Sequence, residues 1–374
     1  MTRSGMPVIA LIILALVVTA CGDTPPPTDT DTSEAPAASI DVAESTAPAE
    51  SEPPADATDN RLATVQERGE LICGVNGELT GFSFIDAEGN TVGFDADFCR
   101  AIAAAVLGDS EAVDFRPLSA DQRSTALQTG EVDVLIRNTT WTVNRDTLWG
   151  LFAPTTFYDG QGIMVDSSVV DATSVEELDG ADVCVLQGTT TVLNLEDAAR
   201  TAGVTLNAQQ FESADDMYPV YEAGECDAVT SDRSQLTAIR TTLENPDDHV
   251  IFEEVLSKEP LGPVVPFGDE QWFNVVKWVV YATIEAEELG LTSDNVEEMA
   301  TTSENPVVLR LLGVEPVETA LGLEPDWAVT MISQVGNYAE IFDRNLGPDT
   351  AINLDRGVNS LWTDGGLLYA PPYR

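Results

Sequence analysis

The chain has 374 residues, enough for two domains of ordinary size, and 64 acidic against 17 basic residues give it a net charge of −47. So acidic a chain repels nucleic acid and anionic lipid surfaces, which excludes both as partners. A single histidine, His249, leaves no credible Ser-His-Asp or Cys-His arrangement, and without a C-x-x-C pair the cysteines do not read as a metal centre.

Arg3 is the only positive charge ahead of an apolar run from Pro7 to Val18, which has the length of a secretory leader rather than of a membrane span. Val18-Thr19-Ala20-Cys21 has the form of a lipobox, in which cleavage precedes a cysteine that carries lipid. Residues 1–20 therefore read as a lipoprotein signal peptide and Cys21 as the lipidation site. The mature chain is expected outside the cell membrane, held to it only by the lipid. From 21 to 60 the composition shifts to Pro, Ala, Ser, Thr and ten acids, with no Lys, Arg or aromatic. Such a segment buries too little apolar surface to offset its ordering entropy, and reads as a disordered tether. Residues 61–374 still carry −38, so the acidity belongs to the folded part as well.

With Cys21 assigned to lipid, Cys73, Cys99, Cys184 and Cys226 read as two disulfides, for which three connectivities are possible. Cys73–Cys99 with Cys184–Cys226 is the preferred pairing. Each bond then closes a short loop inside one half of the chain, whereas the alternatives tie the halves together and hinder their relative motion.

Glu70 to Val75 reads as a first strand, followed by a loop from Asn76 to Phe84, a turn at Ala87–Asn90 and a helix from about Asp97 to Leu107 that ends at Gly108. Val113 to Arg116 is a second strand, Ala120 to Gln128 a helix, and Asp133 to Ile136 a third strand, short and apolar. This β-α-β-α-β progression favours a parallel sheet covered by helices. The third strand breaks into a turn bearing three hydroxyls. There Thr142 stands as a helix N-cap and Arg145 falls in the first helical turn. Backbone N–H groups, hydroxyls and a guanidinium fork converge at the mouth of one strand, which suits a small carboxylate. The competing reading is a capped surface helix whose Arg145 pairs with a neighbouring acid.

After a turn-rich passage and a strand ending near Val165 the pattern restarts. Strands at Ala181–Leu186, Thr205–Phe211 and Asp227–Ser231 alternate with helices at Val192–Thr201, Ala214–Ala223 and from Asp232 to Thr242. Leu261 to Phe267 reads as a strand returning to the first unit. In the long helix Glu270–Leu289, Trp272, Phe273, Val276, Val280 and Ile284 recur at helical spacing, as core rather than ligand contacts. The remainder reads as helices and a closing tail, Leu367–Arg374, without chemistry. The chain has no P-loop and no G-x-G-x-x-G after the first strand, and no carboxylate pair lies in an apolar setting that would tune one acid against the other. No catalytic residue, cofactor or metal is expected.

The stretches G-F-D-A-D-F-C-R-A-I-A-A-A-V-L-G, L-Q-T-G-E-V-D-V-L-I-R-N-T-T-W-T-V-N-R-D, F-Y-D-G-Q-G-I-M-V, Q-G-T-T-T and S-K-E-P-L-G-P resemble the solute-binding proteins of amino-acid ABC importers. The similarity is greatest to the general L-amino-acid branch and runs from about Arg61 to the C-terminus. It implies an α/β, two-lobed Venus-flytrap periplasmic-binding-protein fold (type II), with residues 61–160 and 261–374 forming lobe I and 161–260 lobe II. The function implied is capture of L-amino acids, polar and broad in range, for delivery to the permease subunits of an ABC importer, by a monomer.

Carried over by position, Arg145 clamps the ligand α-carboxylate, aided by Thr140, the backbone at Asn138, and Thr189 and Thr190 from lobe II. Asp232 accepts from the α-ammonium, unless it simply caps the helix that follows. Asn76 and Phe82 line the side-chain pocket, with Arg137 at its edge, either favouring acidic or amide side chains or serving a structural ion pair. Gly81 stands where histidine- and arginine-type binders usually carry a stacking aromatic, a departure that suits a broad binder. The rival readings are an exported prephenate- or arogenate-type dehydratase on the same fold, and a sensory domain.

Overall fold

The computed structural model describes residues 60–315 and 317–374. The leader, Cys21 and the tether up to residue 59 lie outside them; Asn60, the last tether residue, caps the first helix, Arg61–Arg68, by accepting from the Ala63 N–H at 3.0 Å.

Two α/β sheets form two lobes. The first sheet runs Val113–Pro117, Leu71–Val75, Val134–Leu135, Val264–Val265, Leu151–Phe152. Its first three strands are parallel, and Val264–Val265 is antiparallel to both of its neighbours. The central strands are buried on both faces, as parallel strands under helices must be. Helix Phe94–Leu107 covers one face, and its run of alanines lets helix Trp327–Val335 pack closely against it. It begins three residues earlier than the sequence suggests, because Phe94 enters an edge-to-face aromatic cluster with Phe82, Phe98, Phe157 and Tyr338. The long helix Glu270–Glu288 buries Trp272, Val276, Val280 and Ile284, as their spacing predicts, and Trp272 donates its indole N–H to the Asp133 carbonyl at 2.8 Å. Asp133 itself is structural. It is buried, and its carboxylate accepts from the Ile72 N–H and from Arg68 and Arg61.

In the second sheet Asn207–Phe211, Asp182–Leu186 and Ala228–Asp232 are parallel, followed by the antiparallel ten-residue strand Phe157–Asp166 and by His249–Ile251. One strand, Ser257–Leu261, is not apparent from periodicity. It pairs antiparallel with the start of Phe157–Asp166, in the register Ser257 to Gln161 and Leu261 to Phe157. These two adjacent strands link the two sheets. The segment read as the loop after the first strand instead folds into a small antiparallel sheet of Glu78–Leu79, Ser83–Ile85 and Thr91–Val92.

Both disulfides are present in the preferred pairing, Cys73–Cys99 within the first lobe and Cys184–Cys226 within the second. Neither restrains one sheet relative to the other. Among the described residues no helix is long and apolar enough to cross a membrane.

Candidate functional site

The turn and helix after the third strand fold as their sequence suggests. Thr142 caps helix Val143–Leu148 by accepting from the Arg145 N–H at 3.2 Å. That bond uses one of the backbone donors read as available to a ligand, so the guanidinium is what this turn offers. Arg145 is 5% exposed, its Nη1 donates to the Thr140 carbonyl at 3.1 Å, and its guanidinium lies 4.8 Å from the centre of the Trp149 ring. Held on one edge and one face, it keeps Nε and Nη2 without a protein acceptor among the described residues.

No acid lies within ion-pair distance of Arg145, and the same holds for two further buried arginines, Arg137 and Arg123. The surface ion-pair reading of Arg145 and the structural ion-pair reading of Arg137 therefore find no partner acid among the described residues. Arg137 donates Nε to the Leu118 carbonyl at 2.7 Å; Arg123 donates to the Ala120 and Gly188 carbonyls and also packs over Trp149. Burial in low dielectric disfavours all three charged forms and lowers all three pKa values, that of Arg137 to about 10.

Opposite them stands Asp232, at the end of strand Ala228–Asp232. It occupies the N-cap position of helix Arg233–Arg240, but its side chain makes no capping hydrogen bond. The capping alternative therefore does not account for it. Its pKa is raised well above the ordinary value, by burial first and then by Asp159 and Glu259, against the pull of Arg145 and Arg123. From the second lobe Thr189 and Thr190 open helix Thr190–Ala202. Thr189 spends its hydroxyl proton on the Leu186 carbonyl at 2.6 Å, whereas Thr190 donates to Glu259 at 3.1 Å and lies 3.5 Å from Thr140 across the cleft. Glu259 is fixed in turn by Asn194 at 2.8 Å and by Ser257.

Arg145, Arg137, Thr140 and Asn138 from the first lobe and Thr189, Thr190 and Asp232 from the second line one cavity of about 30 Å³, with Asn76 at its edge. A second cavity of about 160 Å³ shares Asn76, Arg137, Leu186 and Gln235 with it and is lined further by Glu78 and Ser213. The lobes touch at the rim, where Gln187 donates to Asp121 at 3.2 Å. Gly188 sits there at φ +68°, in the left-handed region that favours glycine, and a Cβ would push aside the Asp121 carboxylate.

Three expectations are corrected. Phe82 does not line the cavity. It is fully buried in the aromatic cluster of the first lobe, 5.3 Å from the Phe157 ring, where a large apolar side chain gains most from burial. Gly81 likewise faces Ile352 and Leu346, not the cleft, so its lack of a side chain says nothing about the ligand. The Asn138 N–H, expected to reach a ligand, donates to the Asp95 carboxylate at 2.8 Å, while the Asn138 side chain accepts from Asn76 at 3.2 Å. Asn138 sits at φ 31°, which an Asn tolerates better than most residues, and this turn delivers Thr140 to the cavity. Sequence reasoning missed Arg123, Ser231 and Gln235, which also line the cavity. Arg123 carried a usable signal: like Arg145, it opens a short helix that follows a strand of the parallel sheet.

The model of the bacterial extracellular solute-binding proteins, family 3, matches residues 71–348. This chain belongs to that family. It is 51% identical over 84% of its length to the general L-amino acid-binding periplasmic protein AapJ of Rhizobium johnstonii, covering 92% of that protein. The glutamate/glutamine/aspartate/asparagine-binding protein BztA of Rhodobacter capsulatus is 48% identical, over 85% of this chain and 94% of its own. Among solved structures, an ABC-transporter periplasmic binding protein from Brucella ovis with glutathione bound superposes with a TM-score of 0.81 at 48% identity, covering 84% of this chain and 99% of that one. The family-3 protein is thus two-lobed, and it is a binding protein, not an enzyme. The dehydratase reading is set aside.

In this family-3 site Asp95 is buried, and desolvation pushes its carboxyl up to about 7 against the Asn138 N–H and Arg137. A raised acid favours the fold in its neutral form, so its contribution is present below the ordinary value of 3.8 and lost as pH rises through about 7. Urea unfolding of wild type and Asp95→Asn between pH 4 and 8 is expected to show wild type losing stability relative to the variant across that window. A pH-independent difference contradicts it.

Proposed function

We propose that this protein captures L-α-amino acids in the cleft between its lobes and delivers them to the permease subunits of an ABC importer. One observation carries the reading: a buried guanidinium with a free edge, Arg145, faces a buried carboxylate, Asp232, that neither pairs with it nor caps its own helix. Two opposite charges buried apart from protein partners suit a ligand that carries both signs a few ångströms apart. An α-amino acid zwitterion is that ligand. Arg145 takes the α-carboxylate on its Nε–Nη2 edge, as a planar fork is built to do. Thr140 and Thr190 add hydroxyl contacts to it, with Thr190 turning from Glu259. Asp232 accepts from the α-ammonium. Asn76 and Arg137 stand toward the side chain, which we read as polar and broad in range, and the outer cavity beside them gives it room.

The relatives' names, AapJ and BztA, support the amino-acid class. The Brucella ovis neighbour fits the same logic, since glutathione bears a free α-ammonium and α-carboxylate on its γ-glutamyl end. In our reading lobe I comprises 61–160 and 261–374 and lobe II comprises 161–260. Strands Phe157–Asp166 and Ser257–Leu261 serve as the two crossings. Contacts to both lobes exist only when the cleft is closed, so ligand shifts the equilibrium toward closure. The protein acts as a monomer, extracytoplasmic and tethered through lipid on Cys21.

Titration calorimetry of the mature chain against the common L-amino acids is expected to show binding, and Arg145→Ala to weaken it by at least about 100-fold, the scale of removing one partner of a buried charge pair. No heat with any amino acid from folded, ligand-free protein overturns the proposal. For the anchor, Cys21→Ser is expected to move the protein from the membrane to the soluble fraction; unchanged fractionation argues against lipid at Cys21.

A further inference from the structure

We infer that Asn359, in the C-terminal segment, is a positioning residue for lobe closure: its side-chain amide fixes the point at which the first crossing strand leaves lobe I. The inference rests on the lobe boundaries proposed above. Asn359 is buried at the end of the 3₁₀ turn Gly357–Asn359. Its Oδ1 accepts from the Tyr158 N–H at 2.7 Å, and its Nδ2 donates to the Tyr158 carbonyl at 3.0 Å. Both backbone groups of one residue are thus satisfied by a single side chain, which acts as an edge strand one residue long. The crossing partner does not serve them. Tyr158 lies opposite Pro260, which has no N–H, and the Pro260 carbonyl accepts from Trp141 at 2.8 Å.

The amide is itself held. Arg356 donates Nε to the Asn359 carbonyl at 2.9 Å and Nη2 to both Glu287 oxygens, at 3.1 and 3.0 Å. Its guanidinium packs over Tyr338 and Phe342, with ring centres 4.9 and 5.0 Å away. The Tyr338 hydroxyl in turn donates to the Thr156 carbonyl at 2.7 Å, so residues 156 and 158 of the crossing are both pinned to lobe I. The next residue, Asp159, accepts from Ser234 of lobe II. On this first crossing the contacts change from lobe I to lobe II between Tyr158 and Asp159, just inside the proposed boundary, and we place its pivot there. Arg356 and Asn359 lie beyond residue 348, where the family match ends. The brace is therefore a feature of the segment that this chain carries past the family core.

Without the amide clamp, Tyr158 joins the flexible step, the open state gains the freedom of about one residue, and closure must order it. That entropy corresponds to roughly 5- to 30-fold in affinity. The test uses the mature chain with L-glutamine as probe, and compares wild type, Asn359→Ala and Asn359→Asp. The Asp variant keeps the acceptor for the Tyr158 N–H and loses the donor. Calorimetry is expected to show affinity weakened about 5- to 30-fold in the Ala variant and by an intermediate factor in the Asp variant. Small-angle scattering is expected to show a broader ligand-free distance distribution but an unchanged ligand-saturated one. Folded variants with wild-type affinity and wild-type ligand-free scattering overturn the inference. If wild type binds no amino acid, the proposed function fails instead, and the ligand-free scattering alone decides the role of Asn359.

Discussion

The buried Arg145 guanidinium, held away from every protein carboxylate among the described residues, is the constraint around which the site is built. Burying a charge without a partner costs several kcal/mol even after relaxation, so such a group persists only where the surroundings fix it and where something else is to supply the counter-charge. The surroundings are specific. The Thr140 carbonyl takes one nitrogen, Trp149 covers one face, and Thr142 locks the helical turn from which the side chain rises. What remains exposed to the cleft is a planar pair of donors. Asp232 repeats the arrangement with opposite sign on the other lobe, and the two line one dipolar cavity.

That division explains the architecture around the site. Each disulfide staples one lobe to itself, and the adjacent strands Phe157–Asp166 and Ser257–Leu261 link the two sheets. In register on those strands, Asp159 faces Glu259, so two carboxylates share one face at the crossing. Burial pushes Asp159 up to about 6, opposed by the Ser234 hydroxyl and N–H and by the Gly160 N–H, while Glu259 collects Thr190, Asn194 and Ser257. These hydrogen bonds hold together the start of both lobe II helices that face the cleft. The crossing is thus also the wall of the site, and any rotation about it moves Thr190 and Asp232 relative to Arg145.

Much of this was legible in the sequence wherever the determining contacts are local. Apolar strands followed by hydroxyl-rich turns led to the parallel sheets, Thr142 declared its own helix, and Arg145 three residues on pointed to the cavity that it lines. Cysteine spacing within each half led to the observed pairing. Where contacts are long-range, the sequence was silent or misleading. Nothing near Phe82 or Gly81 records that they face the lobe core. The Asn138 N–H is claimed by Asp95, 43 positions away. Glu259 could be read only as part of a family motif, because its partners come from a helix some 65 to 69 residues earlier. Asn359, in the remainder after the long helix that was read as without chemistry, meets Tyr158 across 201 positions. Periodicity reports which face a side chain takes within an element; it carries no information on which distant element that face will meet.

The most direct test of the central claim is a crystal structure of the protein grown with a saturating L-α-amino acid. The α-carboxylate is expected on the Nε–Nη2 edge of Arg145, the α-ammonium against Asp232, and Thr190 turned from Glu259 toward the ligand. A ligand seated elsewhere, or one whose carboxylate leaves Arg145 without a counter-ion, would contradict it.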